Sequence, residues 1–215
     1  MTSGIPPSLV AALLTLATTA AGTADPGADA LLARLARPAP ETTVFVEARF
    51  SALLTEPLVV AGELEHRGDG ALVRRVLVPY RETTTLLGEN VTVEREGNRT
   101  RRFSLDRAPE LRGMLTSFGA MLKGDRETLE RNFEITTQGT DDDWRIDLVP
   151  RAEKLQARLT RIRVDGSADH PNCMTLEEPD GDSTVMMLGV RDRDALPSPL
   201  GREELQSWCT SAGKP

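Results

Sequence analysis

The residues of this chain that could do chemistry are few, and their spacing does not assemble a reaction. The only histidines are His66 and His170. Neither lies in an HExxH pattern, in which two imidazoles one helical turn apart would hold zinc. Cys173 lies near His170, yet Pro171 follows that histidine and no third group is placed to orient a base, so a thiolate nucleophile is not indicated. There is no GxSxG elbow, no GxGxxG dinucleotide loop and no GxxxxGK[ST] phosphate loop. Asp141-Asp142-Asp143 and the pair Asp180, Asp182 could in principle ligate a hard cation. Both runs sit where turns are expected, and no bidentate Glu follows at calcium-loop spacing; Asp and Gly favour turns through their own backbone chemistry. No catalytic residue, metal ligand or cofactor is therefore assigned. Asn90-Val91-Thr92 and Asn98-Arg99-Thr100 match the glycosylation pattern, which is short enough to arise by chance. Arg74 and Arg75 lie between Val73 and Val76, and in a strand one of these two guanidinium groups faces inward.

Composition excludes further classes. The 215 residues carry 26 Lys+Arg against 33 Asp+Glu, a formal charge of −7, which argues against binding nucleic acid through its phosphates. A hydrophobic content of 39% supports a core of ordinary size, and only 4% of residues are aromatic. One soluble domain is the expectation.

The first 24 residues are read as separate from that domain. They contain no Asp, Glu, Lys or Arg, and Leu9 to Ala17 form a compact apolar run followed by small residues. This pattern reads as a secretory signal peptide with Gly22-Thr23-Ala24 as the cleavage site before Asp25, although the n-region has no basic side chain. The run is short and rich in Thr for a membrane anchor. Export would place Cys173 and Cys209 in an oxidising compartment, where an even pair is expected to form one disulfide tying the C-terminal segment to the fold; two free thiols are the alternative. The division expected is 1–24 as signal peptide, 25–190 as the working domain and 191–215 as a C-terminal extension.

Strands dominate what remains. A short helix is expected from Ala30 to Arg37, capped by Asp29 and stopped by Pro38. Val44, Val46, Ala48 and Phe50 alternate with Phe45, Glu47 and Arg49 at the two-residue period of a half-buried strand. The alternation continues through Val60, Leu64 and His66, and Arg67-Gly68-Asp69-Gly70 turns it into Leu72 to Val78, ended by Pro79. Further strands are expected at 83–87, 90–95, 101–105, 133–138, 144–149, 157–164, 173–178 and 183–188, with turns too short for parallel crossovers. Between them Leu111, Met114, Leu115, Phe118, Met121 and Leu122 fall on one helical face before Gly124, and Asp125 caps a second helix to Asn132. Residues 202–208 make a possible last helix. The fold class is α+β: an antiparallel sheet that can curl around a helical hairpin.

The order of these elements resembles the LolA-like outer-membrane lipoprotein carriers, closest to a divergent LolA-related branch. The resemblance is carried by Phe50-Ser51-Ala52-Leu53-Leu54, Gly62-Glu63-Leu64, Leu72 to Pro79 and Leu122-Lys123-Gly124-Asp125 with Leu129 and Phe133. It continues through Trp144 to Pro150, Asp165-Gly166 and Glu177 to Thr184, and spans Thr43 to Leu188. It implies a strongly curved, incomplete antiparallel β-barrel with a helical lid over an apolar cavity. It also implies a periplasmic monomer that takes an acylated cargo, lipid or lipoprotein, from an inner-membrane donor complex to an outer-membrane acceptor; relatives in this branch are associated with aryl-polyene or other acyl products. In such carriers a cavity arginine latches the lid. The matching stretch here is Glu65-His66-Arg67-Gly68, without the usual Lys-Arg-Pro, so Arg67 is the candidate latch. The expected cavity wall is Phe50, Leu64, Val76 and Phe103 under Leu111, Met114, Leu115, Phe118, Met121 and Leu122, with Phe133 and Trp144. Residue types alone favour a filled core at these positions, and it is the resemblance that turns the reading towards a cavity. The alternative is a non-catalytic envelope adaptor with a filled core, binding a protein partner through an exposed edge strand.

Overall fold

Two-residue alternation produces eleven strands among the described residues, most of them joined to the next by a short turn. A computed structural model describes residues 26–107, 119–121, 123–190 and 200–211. The signal-peptide reading, Leu111, Met114, Leu115, Phe118 and Leu122 lie outside the described residues. The strands are β1 (Glu41–Phe50), β2 (Leu58–His66), β3 (Leu72–Val78), β4 (Glu82–Leu87), β5 (Asn90–Arg95), β6 (Arg101–Ser104), β7 (Phe133–Thr140), β8 (Asp143–Pro150), β9 (Arg161–Ser167), β10 (His170–Glu177) and β11 (Ser183–Leu188). They form one antiparallel sheet in the order β6-β5-β4-β3-β2-β1-β11-β10-β9-β8-β7. The first and last strands pair at its centre, with Phe45 opposite Leu188 and Ala48 opposite Val185. The edges, β6 and β7, stay apart, so the curved sheet is unclosed.

Helices accompany the sheet, among them α1 (Pro26–Leu35), α2 (Arg126–Asn132), α3 (Glu153–Gln156) and α4 (Arg202–Ser211). The first starts earlier than expected, at Pro26, a residue suited to a first helical turn. Asp29 therefore falls inside the first turn and pairs with Arg126 at 3.1 Å. The short α3 was not expected: the proposed strand at 157–164 begins only at Arg161. Leu155 and Leu159 are buried against the helical side of the core, four residues apart, which is a helical spacing and not a strand spacing.

The cap on α2 follows expectation. The Thr128 amide donates to Asp125 Oδ1 at 3.1 Å and the Thr128 hydroxyl to Oδ2 at 2.7 Å. Gly124, at φ +67°, reverses the chain before it, and a Cβ there would sit 3.1 Å from the Leu32 carbonyl oxygen. Hydrogen bonds from Thr128 hold the Asp125 carboxyl below its ordinary value of 3.8. A depressed folded-state pKa contributes stability that is present above 3.8 and is lost as the pH falls through the folded value. Asp125→Ala should therefore lower the thermal midpoint at pH 7, and the gap from the parent chain should close in a pH series descending below 3.8.

Alternation sorts the sheet into two faces. On the inner face Phe45, Val60, Val76 and Met186 pack together, with Leu64, Met174 and Leu188 against them. Further along the same face Trp144, Ile146, Leu148, Ile162 and Val164 are buried beneath Leu31, Leu32 and Leu35 of α1 and Leu129 of α2. The outer face buries Val46, Ala48, Val59, Cys173, Val185 and Met187 under Leu205 and Cys209 of α4. Cys173 and Cys209 form a disulfide, so α4 is held covalently to β10. Burying one such aliphatic side chain contributes roughly 1.5–3 kcal/mol, so both faces stabilise the sheet.

Beside α4 the outer face changes character. Arg145 pairs with Asp165 at 2.8 Å, Arg163 with Asp147 at 3.1 Å, and Arg161 with Glu177 at 2.7 Å. These cross-strand pairs explain how Asp147 and Asp165 are accommodated at 7% and 5% exposure.

Trp144 shows how tightly the inner face is filled in this half. Its indole crosses Gly166, where an added Cβ would come within 2.2 Å of Cζ2. The ring N–H donates to the Ala168 carbonyl at 2.9 Å. Gly166→Ala forces the ring off this seat and should cost about 1–3 kcal/mol in urea unfolding, with a loss of near-ultraviolet tryptophan dichroism.

Candidate binding face of the sheet

The inner face is packed unevenly. In its C-terminal half Trp144, Ile146, Leu148, Ile162 and Val164 are all at most 3% exposed. In its N-terminal half Leu64, Leu72, Leu86 and Val93 share the same face by register and are only half-buried. A cleft of about 280 Å³ opens there between the sheet and residues 119–128. His66, Leu72, Leu86, Leu105, Ala120 and Lys123 line it. His66 Nδ1 is buried without a hydrogen-bond partner, and Asp125 and Thr128 add polar groups to the leucines of the wall. This volume is at the small end of ligand cavities.

Of the two adjacent arginines, Arg74 is the inward one. Its Nη2 bonds to Glu47 Oε1 at 2.9 Å, and its Cζ stands 5.1 Å from the centre of the Phe45 ring. Arg75 points to the other face and pairs with Glu65 at 2.6 Å. An ion pair on an apolar face gives a polar ligand group a counterpart of either sign, at the cost of breaking that pair.

Arg67, the candidate latch, lies in the β2–β3 turn and is hydrogen-bonded to Asp69. That bond raises the Arg67 pKa and lowers that of Asp69. The local sequence explains this: Gly68 and Gly70, the latter at φ +83°, fold the turn so that the two side chains meet.

The other expected wall residues divide. Leu64 and Val76 lie on the inner face, and Met121 packs against its helical cover. Phe133 and Trp144 are there too, but at 0% and 3% exposure they belong to packed core. Phe50 lies on the outer face, being an even number of residues from Val46 and Ala48, with Arg202 Cζ 5.7 Å from its ring centre. Phe103 is on edge strand β6 and stands 47% exposed. Sequence reading passed over Leu72, Leu86 and Val93, whose inward direction could have been found by extending the strand parity of Leu64 through each turn.

A larger groove of about 470 Å³ lies elsewhere, between the β1–β2 loop, the β10–β11 turn and the start of α4. It is open to the outside and shares no lining residue with the inner-face cleft. Among the described residues no group of three His, Cys, Asp or Glu could hold a metal ion, and no helix is long and apolar enough to cross a membrane.

An unclosed eleven-strand antiparallel sheet with helices and a cleft on its inner face defines a half-barrel fold. The sequence model of the family described as outer membrane lipoprotein carrier protein LolA-like matches residues 19–211, and the chain belongs to that family. Among solved structures, a LolA superfamily protein from Nitrosomonas europaea is similar at 10% identity, covering 80% of this chain and 94% of that one with a TM-score of 0.42. The Pseudomonas aeruginosa MucA/MucB complex is similar at 14% identity, 80% and 61% coverage and a TM-score of 0.39. LprF from Mycobacterium bovis follows at 14% identity, 82% and 99% coverage and a TM-score of 0.33. No curated protein sequence matches the chain.

Proposed function

We propose that this protein is a non-catalytic periplasmic carrier that shelters the acyl part of a lipid or lipoprotein on its inner face and moves it from an inner-membrane donor towards an outer-membrane acceptor. The observation that carries this reading is the cleft on the inner face: Leu72 and Leu86 line it and, with Leu64 and Val93 on the same face, stay half-buried, whereas Trp144, Ile146, Leu148, Ile162 and Val164 farther along are at most 3% exposed. Each acyl methylene buried there contributes about 0.8 kcal/mol, so one long chain suffices for useful affinity without directed polar contacts. A cleft of about 280 Å³ takes only part of such a chain, so loading requires the cleft to widen. Family membership supports carriage. Residues 1–24 would direct export, with Asp25 as the mature N-terminus.

The test is native mass spectrometry of protein released gently from the periplasm of cells expressing the full chain. The expected result is an added mass that organic extraction removes and that carries fatty acyl groups. Protein of bare mass under gentle conditions, together with failure to take up a fluorescent fatty acid, would falsify the carrier reading and leave an adaptor with a filled core.

A further inference from the structure

Strand register gathers the ends of β1, β3 and β5 and the starts of β2, β4 and β6 at one rim of the sheet. The Glu96 amide donating to the Arg81 carbonyl at 3.1 Å joins the β3–β4 and β5–β6 turns there. This rim is unusual in what it leaves open. Of the eight large apolar side chains most exposed among the described residues, five lie on it: Leu53 at 94%, Leu54 at 42%, Leu58 at 43%, Leu77 at 40% and Val78 at 47%. Leu53 stands at the tip of the β1–β2 loop, which is braced beneath by the Ala52 amide donating to Asp182 at 3.2 Å and the Leu54 amide donating to the Ser51 carbonyl at 3.0 Å. The apolar tip is therefore held outward by its own backbone.

The same rim carries cations without carboxylate partners. Arg81, Arg99 and Arg101 are exposed and make no ion pair among the described residues, and Arg95 is stacked on Tyr80 at 4.1 Å. Acidic groups are present on it as well, at Glu56, Glu96, Asp180 and Asp182, the last engaged by Ala52. The opposite rim is different: the arginines that reach it are paired, Arg67 with Asp69, Arg34 with Asp141 and Arg37 with Asp169, and Leu87 is its one strongly exposed leucine among the described residues.

We propose that the leucine-bearing rim docks on the surface of a bilayer containing anionic phospholipid, with Leu53 and Leu54 entering the interface and Arg81, Arg99 and Arg101 meeting lipid phosphates. A projecting side chain that touches almost nothing of its own chain suits a soft interface, whereas apolar anchors for a protein partner usually need a facing pocket. Guanidinium groups bind phosphate bidentately and are attracted to an anionic leaflet. Docking of this kind does not depend on bound cargo, so it can fail while the carrier reading stands, and the reverse.

The test places an environment-sensitive fluorophore on the full chain at Leu53→Cys, and in a separate sample at Leu87→Cys, the native cysteines being bonded to each other. Vesicles of phosphatidylethanolamine and phosphatidylglycerol are added, with phosphatidylcholine vesicles in parallel. The expected result is a blue shift at position 53 and none at 87, on the anionic vesicles in preference, weakened by salt and by Arg99→Glu with Arg101→Glu. Leu54→Asp should weaken vesicle binding about tenfold, the lower end of what losing one buried leucine costs. No shift at position 53, or an equal shift at 87, overturns the proposal, as does a shift that depends on neither lipid charge nor the arginines.

Discussion

Chains lacking the disulfide, made as Cys173→Ala with Cys209→Ala, are expected to lose about 4 kcal/mol of unfolding free energy in the loop-entropy model for a crosslink spanning 36 residues. The structure explains why the loss should be close to this figure and not smaller. Both cysteines are buried, at 0% and 1% exposure, and Cys209 is on the same helix as Leu205, at 0%. That helix is the cover of the outer-face cluster formed by Val46, Ala48, Val59, Val185 and Met187. Without the bond, α4 is held to the outer face only by side-chain contacts such as those of Leu205, and its departure exposes the cluster. Urea unfolding of the parent chain with and without reductant, beside the double variant, checks this. Reduced parent and double variant should unfold at one common, lower midpoint. A difference below about 1 kcal/mol would mean that α4 is held by its apolar contacts and that the crosslink adds little.

The second large effect concerns binding. Leu64→Glu with Leu72→Glu should reduce acyl-chain affinity by at least about a hundredfold while leaving the sheet folded. Both side chains are half-buried on the inner face, so the introduced carboxylates can stay hydrated in the empty protein. A chain lying on that face must then either desolvate a charge or give up the surface around it. Keeping about four methylenes out of contact at roughly 0.8 kcal/mol each amounts to about 3 kcal/mol, or a little over two orders of magnitude. Displacement of a fluorescent fatty acid gives the affinities, far-ultraviolet dichroism monitors the fold, and Leu87→Glu on the opposite rim serves as the control. Unchanged affinity in the double variant would move the acyl site away from this face. The Arg74–Glu47 pair sits between the two halves of that face, so loosening it with Arg74→Gln should alter selectivity for the cargo's polar end more than affinity for its chain.

How far the sequence could be read is clearest on β1. The alternation of Val44, Val46, Ala48 and Phe50 marked a strand with one apolar face, but Phe45 on the other side is equally buried, because both faces are covered. Parity says which residues share a face, and not which face meets a helix. Phe50 was accordingly assigned to the cavity, and it packs beneath α4 instead. Arg67 shows the same limit. Its place in the β2–β3 turn was legible from Gly68 and Gly70, whereas its engagement with Asp69, and the inward turn of Arg74 on to Glu47, depend on pairing with neighbouring strands.

The sequence by itself determined the local structure: strand periods, the turns at 67–70 and 96–98, the Asp125 cap, an antiparallel sheet because the connections are short, and the cysteine pair. These follow from interactions within a few residues or from simple connectivity. Only the tertiary structure decided that β1 joins β11 at the sheet centre, that α1 fills one half of the inner face and leaves the other half-buried, and that α4 is bonded across the outer face. Those outcomes depend on contacts between residues more than a hundred positions apart, such as Phe45 with Leu188, and no local pattern encodes which distant partner supplies the cover.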